Sequence, residues 1–208
     1  MADDWFRSSD WSEAAQAEFE RRLAKSRTLK CQYLQSKASA LRESGERDAA
    51  QALLLRILDR DLGEQYEQAL TKELLGDLCR VVDPAEAEHY YRRLLAEHAS
   101  LNGTTGTVEI SLAELLIAKG DITSVDEARA LLVNWLERNA AQLPSNMFRW
   151  HLALVDIAQV TNDPETARNA ARTALDLAEI KTFFRRHPDI GVVKTDANTL
   201  KRLKKLAN

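Results

Sequence analysis

The sequence predicts an all-α protein built from pairs of helices that follow one another along the chain. Its 208 residues include only seven glycines and four prolines. An all-β fold would be expected to contain more of these two residues, because they are typical of its many turns. Alanine, leucine, glutamate and arginine are abundant, and all four favour helix. Apolar residues recur at helical spacing along most of the chain. With 45% hydrophobic and 29% charged residues, the composition is that of a soluble globular protein.

Periodicity locates the individual helices. The first is expected to follow Asp10, with Glu13 completing a capping-box-like start and an apolar face made by Ala14, Ala17, Phe19 and Leu23. The others are predicted near residues 27–43, 48–61, 64–81, 84–98, 107–119, 125–140, 145–161, 164–181 and 197–206.

Several helix boundaries carry their own sequence signals. Asp-Pro pairs at 83–84 and 163–164 each place a capping carboxylate before a proline at the first helical position. Residues 124–127 have the pattern of a capping box. Gly45 and Gly120 follow predicted helices and suit a left-handed C-terminal cap. These signals divide the chain into helix-turn-helix pairs.

The second helix of each pair repeats one pattern, in which a small alanine is followed by apolar residues four and seven positions later. The four alanines, Ala50, Ala87, Ala128 and Ala167, lie 37, 41 and 39 residues apart. The later positions are Leu54/Ile57, Tyr91/Leu94, Leu132/Trp135 and Ala171/Ala174. The preceding helices carry matching stripes at Leu34/Ala38/Leu41, Thr71/Leu75/Leu78, Ile110/Ala113/Ile117 and His151/Val155/Ala158. One such pair buries its apolar face only by stacking on another.

The turn-then-alanine pattern of ESGERDAA (43–50) and VTNDPETA (160–167) resembles the divergent tetratricopeptide-repeat family over about residues 27–181. The opening DDWF also resembles bacterial proteins of this type. Two features depart from the family: a period above the usual 34 or so residues, and the loss of its first-helix glycine, replaced by Ala38, Leu75, Ala113 and Val155. The resemblance implies a right-handed α-solenoid of about four helix pairs.

The ends of such a stack are expected to be closed by the terminal segments, all within one structural domain. Residues 1–26 would form an N-terminal cap helix with Trp5, Phe6 and Trp11, and 27–182 the repeats. Residues 183–208 would form a turn and a basic capping helix, with Phe183 and Phe184 plugging the last repeat.

The C-terminal segment also concentrates positive charge. The chain carries −3 overall, but residues 181–208 hold eight basic and two acidic side chains, a local charge of +6. Two interpretations stay open for the final helix: its leucines dock on the protein itself, or its basic face binds an external polyanion. The candidate anion-binding residues are Arg185, Arg186, Lys201, Arg202, Lys204 and Lys205.

No strong catalytic constellation is present in the sequence. Glu86 and His89 have metal-ligand spacing but lack the further ligands of a bundle metal site. The glycine- and threonine-rich stretch 102–107 lacks the lysine of a phosphate-binding loop and is expected to be an inter-repeat loop. Cys31 and Cys79 are expected to be buried thiols in a reducing compartment. We therefore expect no enzyme activity, metal or cofactor, with a degenerate site between helices as the remaining enzymatic alternative.

The function that the sequence favours is that of a cytoplasmic scaffold or adaptor, a monomer or homodimer without membrane contact. In the tetratricopeptide-like arrangement, the first helix of each pair lines a concave surface that holds a peptide or partner protein. The resemblance assigns to that surface Gln35, Ser39, Arg42, Lys72, Glu114, Arg149 and Asp156. The alternative function is nucleic-acid or other polyanion binding through the basic C-terminal segment.

Overall fold

The computed structural model describes residues 4–98, 100–138 and 143–208, which form ten α-helices and one short 3₁₀ turn. The chain separates into two compact units, unit 1 (Met1–Val108) and unit 2 (Glu109–Asn208). This division differs from the single domain of three segments that the sequence predicts. None of the described helices is both long and apolar enough to cross a membrane.

Unit 1 contains the 3₁₀ turn Trp5–Arg7, then α1 (Glu13–Lys25), α2 (Lys30–Glu43), α3 (Arg47–Asp59), α4 (Gln65–Cys79) and α5 (Pro84–Glu97). Helix α6 (Val108–Lys119) begins at the unit boundary, and α7 (Ile122–Arg138), α8 (Pro144–Val160), α9 (Pro164–Ala178) and α10 (Ala197–Ala207) follow in unit 2. All ten predicted helices are therefore confirmed, although the predicted end of the seventh at residue 140 lies outside the described residues.

Neighbouring helices pack in pairs, as the helix-boundary signals in the sequence predict. In unit 1, α2 packs against α3 and α4 against α5, while in unit 2 α8 packs against α9. The four repeating alanines are buried, and so are all eight of the apolar residues that follow them. The periodic pattern thus identified the inward face of each second helix. The small alanine side chains on this face let the paired helices approach closely.

The caps confirm some boundaries and correct others. Asp83 accepts the Glu86 N–H at 3.0 Å and Asp163 accepts the Thr166 N–H at 3.0 Å, as predicted. Two boundaries were wrong. Ser12, not Asp10, is the residue that caps α1. The cap of α7 is not Ser124, because Ser124 lies inside the helix and donates its N–H to Asp121 at 2.9 Å.

The apolar face of α1 is narrower than predicted. Phe19 and Leu23 are buried, but Ala14 and Ala17 are exposed. The helix therefore contacts the core through its second half.

The N-terminal aromatic residues pack against aromatic side chains of α1 and α2. Trp5 packs within 5.2 Å of Phe19 and 5.0 Å of Tyr33, measured between ring centroids, and Trp11 packs 5.8 Å from Phe19. Beneath them the buried Lys37 ammonium donates to the carbonyl oxygens of Ser8 and Asp10 at 2.6 and 2.8 Å. Burial lowers the pKa of Lys37, so these two hydrogen bonds and nearby Asp10 must support its charge.

Helix α4 approaches α5 closely at a glycine that the repeat pattern did not identify. A β-carbon added at Gly76 would lie 2.4 Å from Cε1 of Tyr91. The Tyr91 ring fills this space and its hydroxyl donates to Asp77 at 2.7 Å. Gly76 therefore lets one bulky aromatic residue sit between two paired helices.

Helix α10 packs against α9 in unit 2. Leu203 is fully buried in a cluster with Phe148, Val155 and Ala174, and Leu206 and Val193 pack at its edge. Asp196 caps α10 by accepting the N–H groups of residues 198 and 199. The final helix is therefore docked on its own unit through its leucines.

The expectation that Phe183 and Phe184 plug the last repeat was wrong. Helix α9 ends at Ala178, three residues before its predicted end, and both phenylalanines are exposed, at 46% and 43% of their surface. The physical reason is that Leu203, Leu206 and Val193 already occupy the apolar end of the α8–α9 pair. The phenylalanines lie instead in a turn between α9 and α10.

Candidate partner-binding surface

Two of the residues predicted to face a partner in unit 1 are buried. Gln35 on α2 donates to the Glu67 carbonyl oxygen at 2.7 Å and to the Thr71 hydroxyl at 3.0 Å. Its amide therefore joins α2 to α4 within the interior. Lys72 on α4 is only 1% exposed. The prediction of solvent-facing side chains at Gln35 and Lys72 is contradicted, since their polar groups are bound by the protein itself.

Lys72 belongs to a charged cluster at the end of α5. Its ammonium lies 3.0 Å from a Glu97 carboxylate oxygen and 3.0 Å from Nε2 of the buried His98. Burial and the neighbouring ammonium lower the pKa of His98, which favours the neutral ring. Nε2 of the neutral ring can accept a hydrogen bond from the Lys72 ammonium, so this arrangement joins α4 to the end of α5.

Ser39 and Arg42 are the accessible members of the predicted set in unit 1. The Ser39 hydroxyl donates to the Gln35 carbonyl oxygen at 3.0 Å, and Arg42 lies 3.8 Å from the Asp77 carboxylate. The cleft beside them, lined also by Leu74 and Leu78, has a volume of only about 10 Å³. It is large enough for about one water molecule and offers no anchoring pocket to a partner side chain.

The predicted residues in unit 2 form ion pairs with one another and with α10. Arg149 on α8 binds Glu114 on α6 through two hydrogen bonds, at 3.1 and 2.8 Å. Asp156 binds Arg202 of α10, which also donates to Gln159 at 2.6 Å. Asp156 from the predicted partner surface and Arg202 from the predicted anion site are thus each other's partners. Arg202 holds α10 in place and is not free to bind an external anion.

The other five candidate anion-binding residues are exposed, and within the described chain their side chains make no hydrogen bond or ion pair. They are Arg185, Arg186, Lys201, Lys204 and Lys205. Arg185 and Arg186 pair with no acidic side chain among the residues that the structure describes. These arginines follow directly after the two exposed phenylalanines.

We define the C-terminal patch as Lys181, Phe183, Phe184, Arg185, Arg186 and Ile190. Its three apolar side chains are all more than 40% exposed, with Ile190 at 49%. The phenylalanine rings pack edge to face, 4.8 Å apart at an interplanar angle of 80°. The His187 N–H donates to the Phe184 carbonyl oxygen at 3.0 Å and closes the turn.

The C-terminal patch is attached at both of its ends to the rest of unit 2. One is the end of α9, and the other is Gly191, whose carbonyl oxygen accepts the Ser145 N–H at 2.9 Å. Gly191 has φ +76°, and a β-carbon there would lie 3.2 Å from the Leu143 side chain. The turn therefore presents its apolar and basic side chains to solvent from a tethered backbone.

The residues considered for catalysis occupy structural positions. Cys31 and Cys79 are free and buried, and burial raises the pKa of the Cys31 thiol to about 12, which leaves it protonated at neutral pH. The Thr105 N–H and hydroxyl in stretch 102–107 both donate to the buried Glu73, the former at 2.8 Å. Within the described residues, no group of three potential metal ligands comes together.

The wider clefts were not predicted from the sequence. One cleft in unit 1, of about 410 Å³, is lined by Tyr66, His98 and other polar side chains. A second, of about 230 Å³, lies among α1, α2 and α3. Their lining residues come from separate segments of the chain, so no sequence spacing indicates them.

Comparison of the chain with protein-family models, with curated proteins and with solved structures finds no match in any of the three. The candidate surface therefore rests on its own geometry and chemistry.

Proposed function

We propose that this protein is a non-enzymatic binding module that recruits an acidic protein segment through the C-terminal patch. The observation that carries the proposal is the exposure of Phe183, Phe184 and Ile190 beside arginines that bind nothing else in the described chain. Exposed aromatic side chains next to arginine are the residue types that contribute most to protein interfaces. A partner segment with carboxylates and apolar side chains would complement both chemistries.

The geometry of the phenylalanine pair favours a protein over a nucleic acid. Single-stranded nucleic acids bind to open aromatic faces on which successive bases stack. Here the two rings pack edge to face, so one ring covers a face of the other. An apolar side chain can contact their combined outer surface without separating them. Ile190 adds an aliphatic contact that offers nothing to a stacking base.

The helix face predicted from the tetratricopeptide resemblance is the second surface for the same function. Only Ser39 and Arg42 support it in unit 1, because Gln35 and Lys72 are bound in the interior. In unit 2, Glu114 and Arg149 bind each other, which lowers their capacity to bind a partner. The stacking of about four helix pairs into a right-handed solenoid stays a prediction of the sequence.

The proposal is tested by fluorescence anisotropy with full-length protein and three defined probes. These are a labelled peptide of alternating glutamate and leucine, an oligothymidine, and vesicles containing phosphatidylserine. We expect the peptide to bind most tightly. The variant F183S/F184S should weaken its binding about tenfold, the effect of losing one interface anchor of about 1.4 kcal/mol. R185Q/R186Q should weaken it and reduce its salt dependence.

Two matched variants control for general effects. V81S/V82S changes an exposed apolar pair in unit 1, and R92Q/R93Q removes the same charge from α5. Both should leave peptide binding unchanged. Tighter binding of oligothymidine would assign the patch to polyanion recognition, and tighter binding of vesicles would assign it to a lipid surface. Equal losses in the control variants would refute a specific site.

A further inference from the structure

Unit 1 contains a cleft where α1, α2 and the end of α3 meet, with a volume of about 230 Å³. Its apolar wall consists of Leu23, Leu34 and Leu62, two of which are buried core residues. Its polar rim consists of Glu20 and three cations, Lys30, Arg56 and Arg60. The cleft lies in a different unit from the C-terminal patch and is independent of the function proposed for that patch.

Only one of the three cations at the rim is neutralised. The Arg56 guanidinium binds both oxygens of Glu20, at 2.5 and 3.0 Å. Lys30 and Arg60 make no side-chain hydrogen bond or ion pair with any residue that the structure describes. The rim therefore has a net charge of about +2, with two cations free to bind a ligand.

A second observation concerns a hydrogen-bond donor of the Arg56 guanidinium. Its Nε atom is buried and has no hydrogen-bond partner among the described residues. A buried guanidinium N–H without an acceptor is costly, and charged groups bear the larger cost. An anionic oxygen in the cleft would provide an acceptor for the cationic rim.

We propose that this cleft binds a small monocarboxylate that carries a short aliphatic group. The carboxylate lies among the guanidinium and ammonium groups of the rim, where charge-assisted hydrogen bonds are strong. The aliphatic group lies against the leucine wall and is removed from water. The volume is below that of a drug-sized pocket and limits the ligand to a small molecule.

The composition of the cleft distinguishes this ligand from a simple inorganic anion. Phosphate or sulfate would use the cations but leave the three leucines exposed to water. It would also place a second negative charge near Glu20, which remains within the rim. A neutral alcohol would use the leucines but leave Lys30 and Arg60 without an anion. Only an anion with an aliphatic group would contact both the cations of the rim and the leucines of the wall.

The test is an NMR titration of the full-length protein, followed through amide shifts, with hexanoate, acetate, hexanol and inorganic phosphate as separate probes. Hexanoate is expected to saturate, with the largest shifts near Leu34 and Leu62. Acetate and hexanol should each bind at least about tenfold more weakly, since each lacks one of the two contacts. The variants K30Q and R60Q should each weaken hexanoate binding severalfold. The matched control K25Q changes a lysine that does not line the cleft and should have no effect.

Three results would overturn the proposal. The first is that hexanoate fails to saturate or shifts only residues remote from the cleft. Phosphate could bind as tightly as hexanoate, which would show a general anion site without apolar recognition. Equal weakening by K25Q and K30Q would show nonspecific charge attraction. Because K30Q and R60Q change half-buried or exposed side chains, folding of these variants is verified from their undisturbed amide spectra.

Discussion

Substitution of Gly76 by alanine tests the close packing of α4 on α5. A helix interior gains about 1 kcal/mol when glycine becomes alanine, so propensity alone predicts stabilisation. The added β-carbon would however lie 2.4, 2.7 and 2.8 Å from three Tyr91 ring atoms. The ring must move by about 1 Å to restore van der Waals contact, and such overpacking costs about 1–3 kcal/mol. Movement would also strain the Tyr91–Asp77 hydrogen bond, worth about 1 kcal/mol. We expect G76A to lower the free energy of unfolding by about 1–3 kcal/mol.

A double-mutant cycle with Y91A isolates the physical cause. When the ring is absent, the added methyl group meets no obstacle, and G76A should stabilise the Y91A background by up to about 1 kcal/mol. The measurement is urea unfolding of the four proteins by circular dichroism. A reversal of sign between backgrounds supports the steric argument. A G76A cost that is the same in both backgrounds would refute it and point to an effect of the backbone alone.

Two further predictions concern titration and capping. Burial lowers the pKa of His151 in the folded protein. The unfolded chain, in which histidine has its ordinary pKa of about 6.5, therefore binds a proton more readily than the folded chain. The free energy of unfolding should fall as the pH drops below about 6.5. H151F should flatten this dependence when urea midpoints are compared between about pH 7.5 and 5.5, and an unchanged slope would contradict the assignment. D196A should remove the cap of α10 and speed amide hydrogen exchange in that helix before it affects α8, which a uniform response of both helices would disprove.

The helices and their inward faces were predictable because they depend on local periodicity. Ala50, Ala87, Ala128 and Ala167 are all buried where the repeat pattern placed them. The Asp-Pro caps were also predictable, since the carboxylate and the amide that it binds lie three residues apart. The caps of α1 and α7 were not, because several nearby polar residues compete for the same N–H groups.

The candidate site was less predictable than the fold. The helix-face assignment treated Lys72 and Gln35 as solvated, but their partners lie 26 and 32 residues away. The same limit applied to Arg202, whose partner Asp156 lies 46 residues earlier in the chain. Spacing along one helix indicates which side chains share a face. It does not indicate which distant element covers that face.

The sequence by itself determined the all-helical class, the positions of the helices and the register of their buried faces, because these follow from backbone propensity and the 3.6-residue period. Only the tertiary structure decided which surfaces stay open. Leu203 and Val193 fill the end of the α8–α9 pair, and so Phe183 and Phe184 remain exposed to solvent. Both sets of residues are apolar and could have occupied that space. Competition among distant segments for one buried surface is settled by packing in three dimensions, which no local pattern records.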